Sequence, residues 1–356
     1  MSYGLVLVLA LALFVVASIA HYVFWTRRLE RPMTYALSER LETPDGAAIE
    51  LHRLPGDAPT SPIPVLLVHG VGIDHRNNDM LPEVSLARHL RASGRDVWLL
   101  RLRSGGMSRV FKDKRKVRFA RMAEHDLPLG VREVLTRTGQ PHLDYVGFSM
   151  GGMLAYAAIG AHRIDPALLR RVVIIGSPAR VGHYVPFRHL LTRLPEPLVP
   201  TLPLRLGSRM VAFASEWMTT PVHHLVYNPR NVEPGLAGPA MMTVEDIPGP
   251  LNVDFLSFIR RGIVHFEDRD VIEGLRHVSI PVLFFAGERD RLAPPEAVRV
   301  AFDAWGADAG EVDKRFVLLS VKEGASADYG HGDLAIGRAA KRDIFEPIER
   351  FLTPAA

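Results

Sequence analysis

The segment 143–160 constrains the fold of this chain more than any other part of its sequence. Residues 143–148 form a short apolar run typical of a buried strand, and residues 152–160 are small and apolar, as in a closely packed helix. Between them lies Gly147-Phe148-Ser149-Met150-Gly151. Small residues are needed here because the helix must pass close to the strand that it follows. The pattern predicts a strand, a tight turn that exposes Ser149, and a helix.

Short apolar runs alternate with helical periodicity along most of the chain. Strands are predicted over residues 63–68, 96–102, 171–176, 281–286 and 316–321, and helices over 81–93, 124–138 and 338–352. Residues 35–38 and 48–52 flank turn-forming residues and predict an antiparallel hairpin. This order indicates an α/β fold with a mostly parallel central sheet and helices on both faces.

Residues 179–276 interrupt that alternation. This segment is rich in proline and large apolar residues and is far longer than an ordinary connection between two strands. We predict that residues 32–178 and 277–356 form one core and that 179–276 is an inserted, mainly helical cap. A second structural domain with no role in chemistry is the alternative.

The N-terminal segment, residues 1–31, has a composition of its own. Residues 5–25 are almost entirely apolar, and a helix of about 20 such residues crosses a bilayer core. Arginines follow this stretch, whereas no basic residue precedes it as a signal peptide would require. We therefore predict an uncleaved transmembrane anchor with the body on the cytoplasmic side. A cleaved signal peptide, with a secreted or periplasmic body, is the alternative.

Composition excludes several kinds of chemistry. The 356 residues contain no cysteine, which excludes disulfides, thiolate metal sites and a cysteine nucleophile. The formal net charge is only +4, and the basic stretch 101–121 has few interleaved aromatic residues. We predict no nucleic-acid partner; the stretch is expected to be a solvated face, with contact to anionic lipid as the alternative. No metal or organic cofactor is implied.

Two further motifs follow predicted strands at the edge where Ser149 is expected. Asp290 comes just after the strand 281–286, and His331 lies in a glycine-flanked loop after the last strand. Ligand crevices form at the carboxyl ends of parallel strands. A serine hydroxyl becomes a nucleophile beside a base that is oriented by an acid. The order Ser149, Asp290, His331 therefore predicts a catalytic triad.

Four nearby residues compete with this assignment or support it. Glu288 is the nearest alternative to Asp290 but lies earlier in the turn. Asp328 and Asp333 are expected to shape the loop around His331. Asp126 is expected to begin or cap the helix 124–138.

A site for an oxyanion is expected beside Ser149. One backbone N–H would come from Met150 and the other from the loop after the first parallel strand, where Val71 is our choice. His69 is expected to brace this loop rather than act as a base. The remaining small residues are expected to support the loop and the turn: Gly70, Gly72, Gly147 and Gly151.

These motifs resemble the acid lipase family of α/β-hydrolases, which includes the gastric and lysosomal lipases. The similarity lies in residues 96–109, in the approach to the nucleophile at 125–149, and in the motifs at 290–293 and 329–333. It covers most of the core but not 179–276. The resemblance implies an α/β-hydrolase fold, the triad above, and carboxylic-ester substrates with apolar acyl groups.

Two departures qualify the resemblance. The stretch after Ser149 contains no glutamine, which the family has there, and the chain has no cysteine. The core is more weakly similar to polyhydroxyalkanoate synthases, which use a cysteine nucleophile. Because the chain contains no cysteine, the synthase activity is disfavoured.

The sequence thus predicts a membrane-anchored serine hydrolase that cleaves small-molecule esters or lipids through an acyl-enzyme on Ser149. An acyltransferase that uses the same triad is one alternative. A catalytically silent, membrane-tethered binding protein is the other, and the complete order of triad residues weighs against it.

Overall fold

A computed structural model describes residues 3–82, 84–106, 114–181, 195–219 and 221–353. Its centre is an eight-stranded sheet in the order β1-β2-β4-β3-β5-β6-β9-β10. The strands of this sheet are β1 Leu37–Glu42, β2 Ala48–Arg53, β3 Val65–Val68, β4 Val97–Arg101, β5 Leu143–Phe148, β6 Leu169–Ile175, β9 Val282–Gly287 and β10 Lys314–Leu319. A separate hairpin pairs β7 His265–Phe266 with β8 Arg269–Asp270.

The sheet is parallel except at one edge. β2 pairs antiparallel with both β1 and β4, and all other neighbours in the sheet are parallel. The central strands β3, β5 and β9 are buried along their whole length, whereas the edge strand β1 alternates between half-buried and exposed residues. Burial on both faces explains why the central strands read as continuous apolar runs.

Helices cover both faces of the sheet. The α-helices of the described residues are α1 Tyr3–Leu29, α2 Leu86–Ala92, α3 Phe119–Arg121, α4 Leu127–Thr138, α5 Met150–Gly160, α6 Leu204–Val211, α7 Pro221–Val226, α8 Ala237–Met241, α9 Gly249–Arg261, α10 Val271–Leu275, α11 Pro295–Ala304, α12 Asp333–Ile336 and α13 Glu346–Leu352. Alternate residues of β5 enter two different cores, Tyr145 with α4 and α5, and Val146 with α2 and α13. The predicted α/β fold is confirmed.

Helix boundaries differ from the prediction where local capping decides them. The helix predicted over 81–93 begins only at α2, because Ser85 accepts a hydrogen bond from the Arg88 N–H at 2.9 Å. The C-terminal helix predicted over 338–352 starts with a π-helical turn, Lys341–Phe345, before α13. A similar π turn, Met122–Asp126, precedes α4.

Asp126 differs from its expected capping role. It stands directly before α4, but its side chain makes no capping hydrogen bond. Its carboxylate accepts from the backbone N–H of Arg103 at 3.0 Å and pairs with the Arg103 guanidinium at 2.7 Å. Both side chains are fully buried. Asp126 is structural, as expected, but it fixes the loop after β4 rather than the end of a helix.

The segment between β6 and β9 contains α6 to α10 and the small hairpin β7–β8. Its residues 182–194 and 220 lie outside the described part of the chain. The described part is mainly helical, and both the division at 179–276 and its role as a cap stay predictions. The basic stretch 101–121 is likewise described only in part, because 107–113 lie outside the described residues.

The N-terminal helix α1 is 27 residues long and has a mean hydropathy of 2.7 over its most apolar window. None of that window is buried within the protein. Length and composition therefore suit a membrane span, and an N-terminal signal sequence passes the same test.

Candidate active site

Ser149 stands on a strained turn between β5 and α5. Its φ is 52° and its ψ is −118°, a region that residues with a side chain rarely adopt. The turn closes because the neighbouring glycines let the helix approach the sheet. A Cβ on Gly147 would lie 2.7 Å from the Gly152 backbone nitrogen, and one on Gly151 would lie 2.5 Å from the Val68 carbonyl oxygen. Both contacts are too short for any residue larger than glycine.

The structure brings Ser149, His331 and Asp290 together. The Ser149 Oγ lies 2.9 Å from His331 Nε2, and His331 Nδ1 lies 2.7 Å from Asp290 Oδ2. An ionised carboxylate only accepts hydrogen bonds, so Nδ1 donates to Asp290. In the neutral ring Nε2 is then free to accept the serine proton. The three side chains have the connectivity of an acid, a base and a nucleophile.

Backbone groups hold Asp290 in place. The residue lies three positions after the end of β9, and its Oδ1 accepts hydrogen bonds from the N–H groups of Leu292 at 2.9 Å and Ala293 at 2.7 Å. With Oδ1 engaged by the backbone, Oδ2 points to His331. Glu288, the alternative acid, has an exposed side chain two residues earlier.

Asp333 and Asp328 shape the loop around His331. The Asp333 Oδ1 accepts from the N–H groups of Gly330 at 2.9 Å and Asn228 at 3.0 Å, and its Oδ2 accepts from the Asn231 amide at 2.7 Å. The Asp328 Oδ1 accepts from the Val321 N–H at 2.9 Å. Neither carboxylate bonds to the His331 ring in the hydrogen bonds of the described residues, in line with the expected loop-shaping role.

The loop of His69 to Gly72 lies against the serine. A Cβ on Gly70 would stand 2.9 Å from the Ser149 Cβ. Among the hydrogen bonds of the described residues, the N–H groups of Val71 and Met150 donate none. Unpaired backbone N–H groups beside a nucleophile are what an oxyanion site requires. Both remain candidates for that role.

His69 braces this loop. Its Nε2 lies 3.1 Å from the Leu102 nitrogen and its Nδ1 lies 2.8 Å from the Gly70 carbonyl oxygen. Because the Leu102 N–H can only donate, Nε2 accepts and Nδ1 carries the proton. Complete burial lowers the pKa of His69 to about 4, so its ring stays neutral at pH 7. A neutral ring with both nitrogens engaged cannot serve as the base.

The sequence did not indicate that the inserted segment holds both loops of the site. The Gly72 carbonyl accepts from the Glu245 N–H at 2.8 Å, and the Asp74 N–H donates to the Thr243 carbonyl at 3.0 Å. On the other side, the Gly332 N–H donates to the Val226 carbonyl at 2.7 Å. These are backbone contacts between distant parts of the chain, and no residue type in the sequence signals them.

Metal ligands are not grouped in the part of the chain that the structure describes. No cluster there of three or more His, Asp or Glu side chains could hold a metal ion.

Comparison with known proteins supports the fold and the resemblance. Residues 63–206 match the family profile described as alpha/beta hydrolase fold. The chain is 30% identical to human gastric triacylglycerol lipase over 43% of its own length and 41% of the lipase. It is 31% identical to human lysosomal acid lipase/cholesteryl ester hydrolase over 46% of its length and 44% of that protein. The matched part is less than half the length of these curated relatives.

Solved structures cover far more of the chain at lower identity. A thermophilic esterase from Thermogutta terrifontis superposes with a TM-score of 0.55 at 20% identity, covering 89% of this chain and 98% of the esterase. A membrane phospholipase A, described as a bacterial virulence factor, superposes with a TM-score of 0.54 at 19% identity, covering 98% of this chain and 96% of the phospholipase. The chain therefore has the α/β-hydrolase fold, and less than half of its length is similar in sequence to acid lipases.

Proposed function

We propose that this protein is a carboxylic ester hydrolase that works through an acyl-enzyme on Ser149. The observation that carries the proposal is the continuous hydrogen-bonded path from the Ser149 hydroxyl through His331 to Asp290, at 2.9 and 2.7 Å. Its similarity to acid lipases supports the choice of esters as substrates.

Acylation follows from the proton path. The Ser149 Oγ attacks the ester carbonyl as its proton moves to His331 Nε2, and Asp290 stabilises the resulting imidazolium. The negative oxygen of the tetrahedral intermediate accepts from the N–H groups of Val71 and Met150. The bond to the alcohol then breaks, and the alcohol leaves with the proton from His331.

Deacylation repeats the sequence with water. His331 takes a proton from a water molecule, whose oxygen attacks the acyl carbonyl, and the acid leaves as the Ser149 oxygen is reprotonated. An acceptor alcohol or thiol in place of water would make the same site an acyltransferase. A silent binding protein would need none of these contacts, so the assembled triad favours an enzyme.

The inserted segment 179–276 is proposed to act as a cap over the serine. Its residues bond to the loop after β3 through Glu245 and to the His331 loop through Val226. A segment that touches both loops is placed to enclose the acyl chain. Its apolar composition suits such a pocket.

Helix α1 is proposed to anchor the protein in a membrane, with the catalytic body on the cytoplasmic side. Its length, its hydropathy and the arginines at its C-terminal end support this placement. The superposition on a structure described as a membrane phospholipase A covers 98% of the chain, which takes in α1.

The test is hydrolysis of p-nitrophenyl esters from two to sixteen acyl carbons by the full chain in detergent. Ser149→Ala removes the nucleophile, and Ser38→Ala, at the far edge of the sheet, is the matched control. We expect activity in the wild type and the control, none in Ser149→Ala, and an optimum acyl length set by the cap.

A fluorophosphonate probe separates the alternatives. Labelling of Ser149 without ester hydrolysis would assign the site to acyl transfer, which is checked by adding competing alcohols and analysing the products. Absence of both labelling and hydrolysis would overturn the proposal in favour of a binding protein. Full activity in a folded Ser149→Ala variant would overturn the mechanism.

A further inference from the structure

The helix α6 has its charged side inward and its apolar side outward. Arg209 is only 2% exposed, and Arg205 is half-buried. Leu206 is 57% exposed and Val211 is 52% exposed. A surface helix of a soluble protein shows the opposite arrangement, with apolar residues towards the core. The outward side of α6 therefore suits an apolar environment.

The inward arginine is fixed by backbone carbonyl groups. Arg209 donates to the carbonyl oxygens of Met242 at 2.9 Å, Val244 at 3.0 Å and Arg205 at 3.2 Å. The bond to Arg205 lies within α6, whereas Met242 and Val244 lie outside it, so the two bonds to these residues hold the rotation of α6 about its axis. The exposure of its apolar side is thus built into the fold.

The apolar surface continues beyond the helix. Trp217 is 73% exposed and Met218 is 59% exposed, just after α6 and the 3₁₀ turn that follows it. We define the α6 apolar face as Leu204, Leu206, Val211, Trp217 and Met218. Single exposed apolar residues are common, whereas several exposed apolar side chains on one helix and the turn after it are typical of an interaction site.

This face lies next to α1. The His21 ring contacts the Met210 carbonyl oxygen at 3.0 Å and packs edge-on against Phe213 at 4.9 Å between ring centres. Trp25 lies 5.7 Å from the same Phe213 ring. The contact is therefore made by the C-terminal part of the apolar helix.

The length of α1 gives the depth of that contact. Its 27 residues extend about 40 Å, whereas the hydrocarbon core is about 30 Å thick and takes about 20 residues. If Leu5 enters the core, the core ends near Phe24, between the two residues that touch the α6 region. Aromatic residues concentrate at this level of a bilayer, and the cations Arg27 and Arg28 follow. The contact places α6 at the membrane surface.

We propose that the α6 apolar face inserts into the lipid bilayer at the boundary between headgroups and acyl chains, beside α1. The proposal rests on the membrane anchoring proposed above and deepens it, because it names the surface through which lipid reaches the site. Leu204, the first residue of α6, would lie 3.5 Å from a Cβ on Gly72 in the loop beside Ser149. The same helix thus begins at the site and continues along the membrane, so an ester embedded in the bilayer is the substrate class that this surface admits.

The absence of cysteine allows a direct measurement of depth. Single variants Leu206→Cys and Trp217→Cys are labelled with an environment-sensitive fluorophore in the full chain. Each is reconstituted into vesicles of phosphatidylcholine and phosphatidylglycerol that carry a nitroxide either near the headgroup or in mid-chain. Leu13→Cys reports on α1, and Ala307→Cys, an exposed residue before β10, is the water-exposed control. Thermal unfolding verifies that each labelled protein is folded.

We expect blue-shifted emission at residues 206 and 217 with quenching by the shallow nitroxide, deep quenching at residue 13, and neither effect at residue 307. If residue 13 is quenched while 206 and 217 behave like 307, the α6 proposal is overturned and the anchor stands. In unlabelled Leu206→Cys protein treated with a mild oxidant, a disulfide between two copies, together with no quenching of the labelled variant, would assign the face to a second copy and also overturn it. Absence of quenching at residue 13 overturns the anchor and this inference together, while ester hydrolysis by Ser149 is tested independently.

Discussion

Gly70 and Ser149 lie in contact across the site, so closely that a Cβ on Gly70 would stand 2.9 Å from the Ser149 Cβ. The same added carbon would meet the Phe148 ring at 3.3 Å and the Ile73 side chain at 3.4 Å. These close contacts fix the position of the loop that carries the Val71 N–H relative to the Ser149 side chain. That relationship makes the geometry of the proposed oxyanion site sensitive to a single methyl group.

Gly70→Ala is expected to lower kcat, because the methyl group pushes the Val71 N–H away from the developing negative charge. Loss of one such donor costs on the order of 10²–10³ in turnover. Steady-state hydrolysis of a soluble ester gives the effect, and fluorophosphonate titration counts intact sites. Val71→Ala keeps the N–H and should lose far less. If kcat fell equally in Gly70→Ala and Val71→Ala, the Val71 N–H would not be an oxyanion donor.

Asp290→Asn tests the orienting role of the acid. An amide in place of the carboxylate no longer favours the His331 tautomer that accepts the serine proton. We expect kcat to fall by about 10⁴, with KM little changed, as for triads in which this position is altered. A Glu288→Gln variant serves as the matched control. If Glu288→Gln were the more damaging change, the assignment of the acid would be wrong.

The neutral His69 should make the protein sensitive to acid. Burial lowers the pKa of His69 to about 4, whereas the unfolded chain takes up the proton near 6.5. Between these values the unfolded state binds more protons, so stability present at pH 7 is lost as the pH falls towards 4. A shift of this size corresponds to about 3 kcal/mol.

The measurement compares the free energy of unfolding in urea at several pH values between 7 and 4.5 for the wild type and His69→Asn. Both carry the other histidines, including His75, whose pKa burial also lowers. The free energy of unfolding should therefore fall more steeply with decreasing pH in the wild type than in His69→Asn. Parallel pH profiles for the two proteins would rule out this contribution of His69.

Arg103→Met should destabilise the protein strongly, because it leaves the Asp126 carboxylate buried without its partner. Removal of one member of a buried pair costs about 3–5 kcal/mol. Arg276→Met breaks an exposed pair with Asp308 and should change stability much less. Urea unfolding of both variants checks the expectation. If both variants lost a similar free energy of unfolding, the buried Arg103–Asp126 pair would stabilise the fold no more than the exposed Arg276–Asp308 pair.

The sequence by itself determined the sheet, the order of its strands along the chain and the three residues of the proposed triad. Short apolar runs, helical periodicity and the spacing of Gly147 to Gly152 depend on local geometry, which residue types report directly. The positions of Asp290 and His331 followed because the carboxyl ends of parallel strands share one edge.

Only the tertiary structure decided what surrounds that site. Asp126 pairs with Arg103 rather than capping α4, and the bonds from Glu245 and Val226 to the site loops join residues far apart in sequence. The inward turn of Arg209 against backbone carbonyls leaves apolar residues of α6 outside. Such contacts depend on which distant groups are free to accept or donate after folding. Composition and hydrophobic periodicity describe a residue and its neighbours in sequence. They therefore cannot predict these contacts between distant residues.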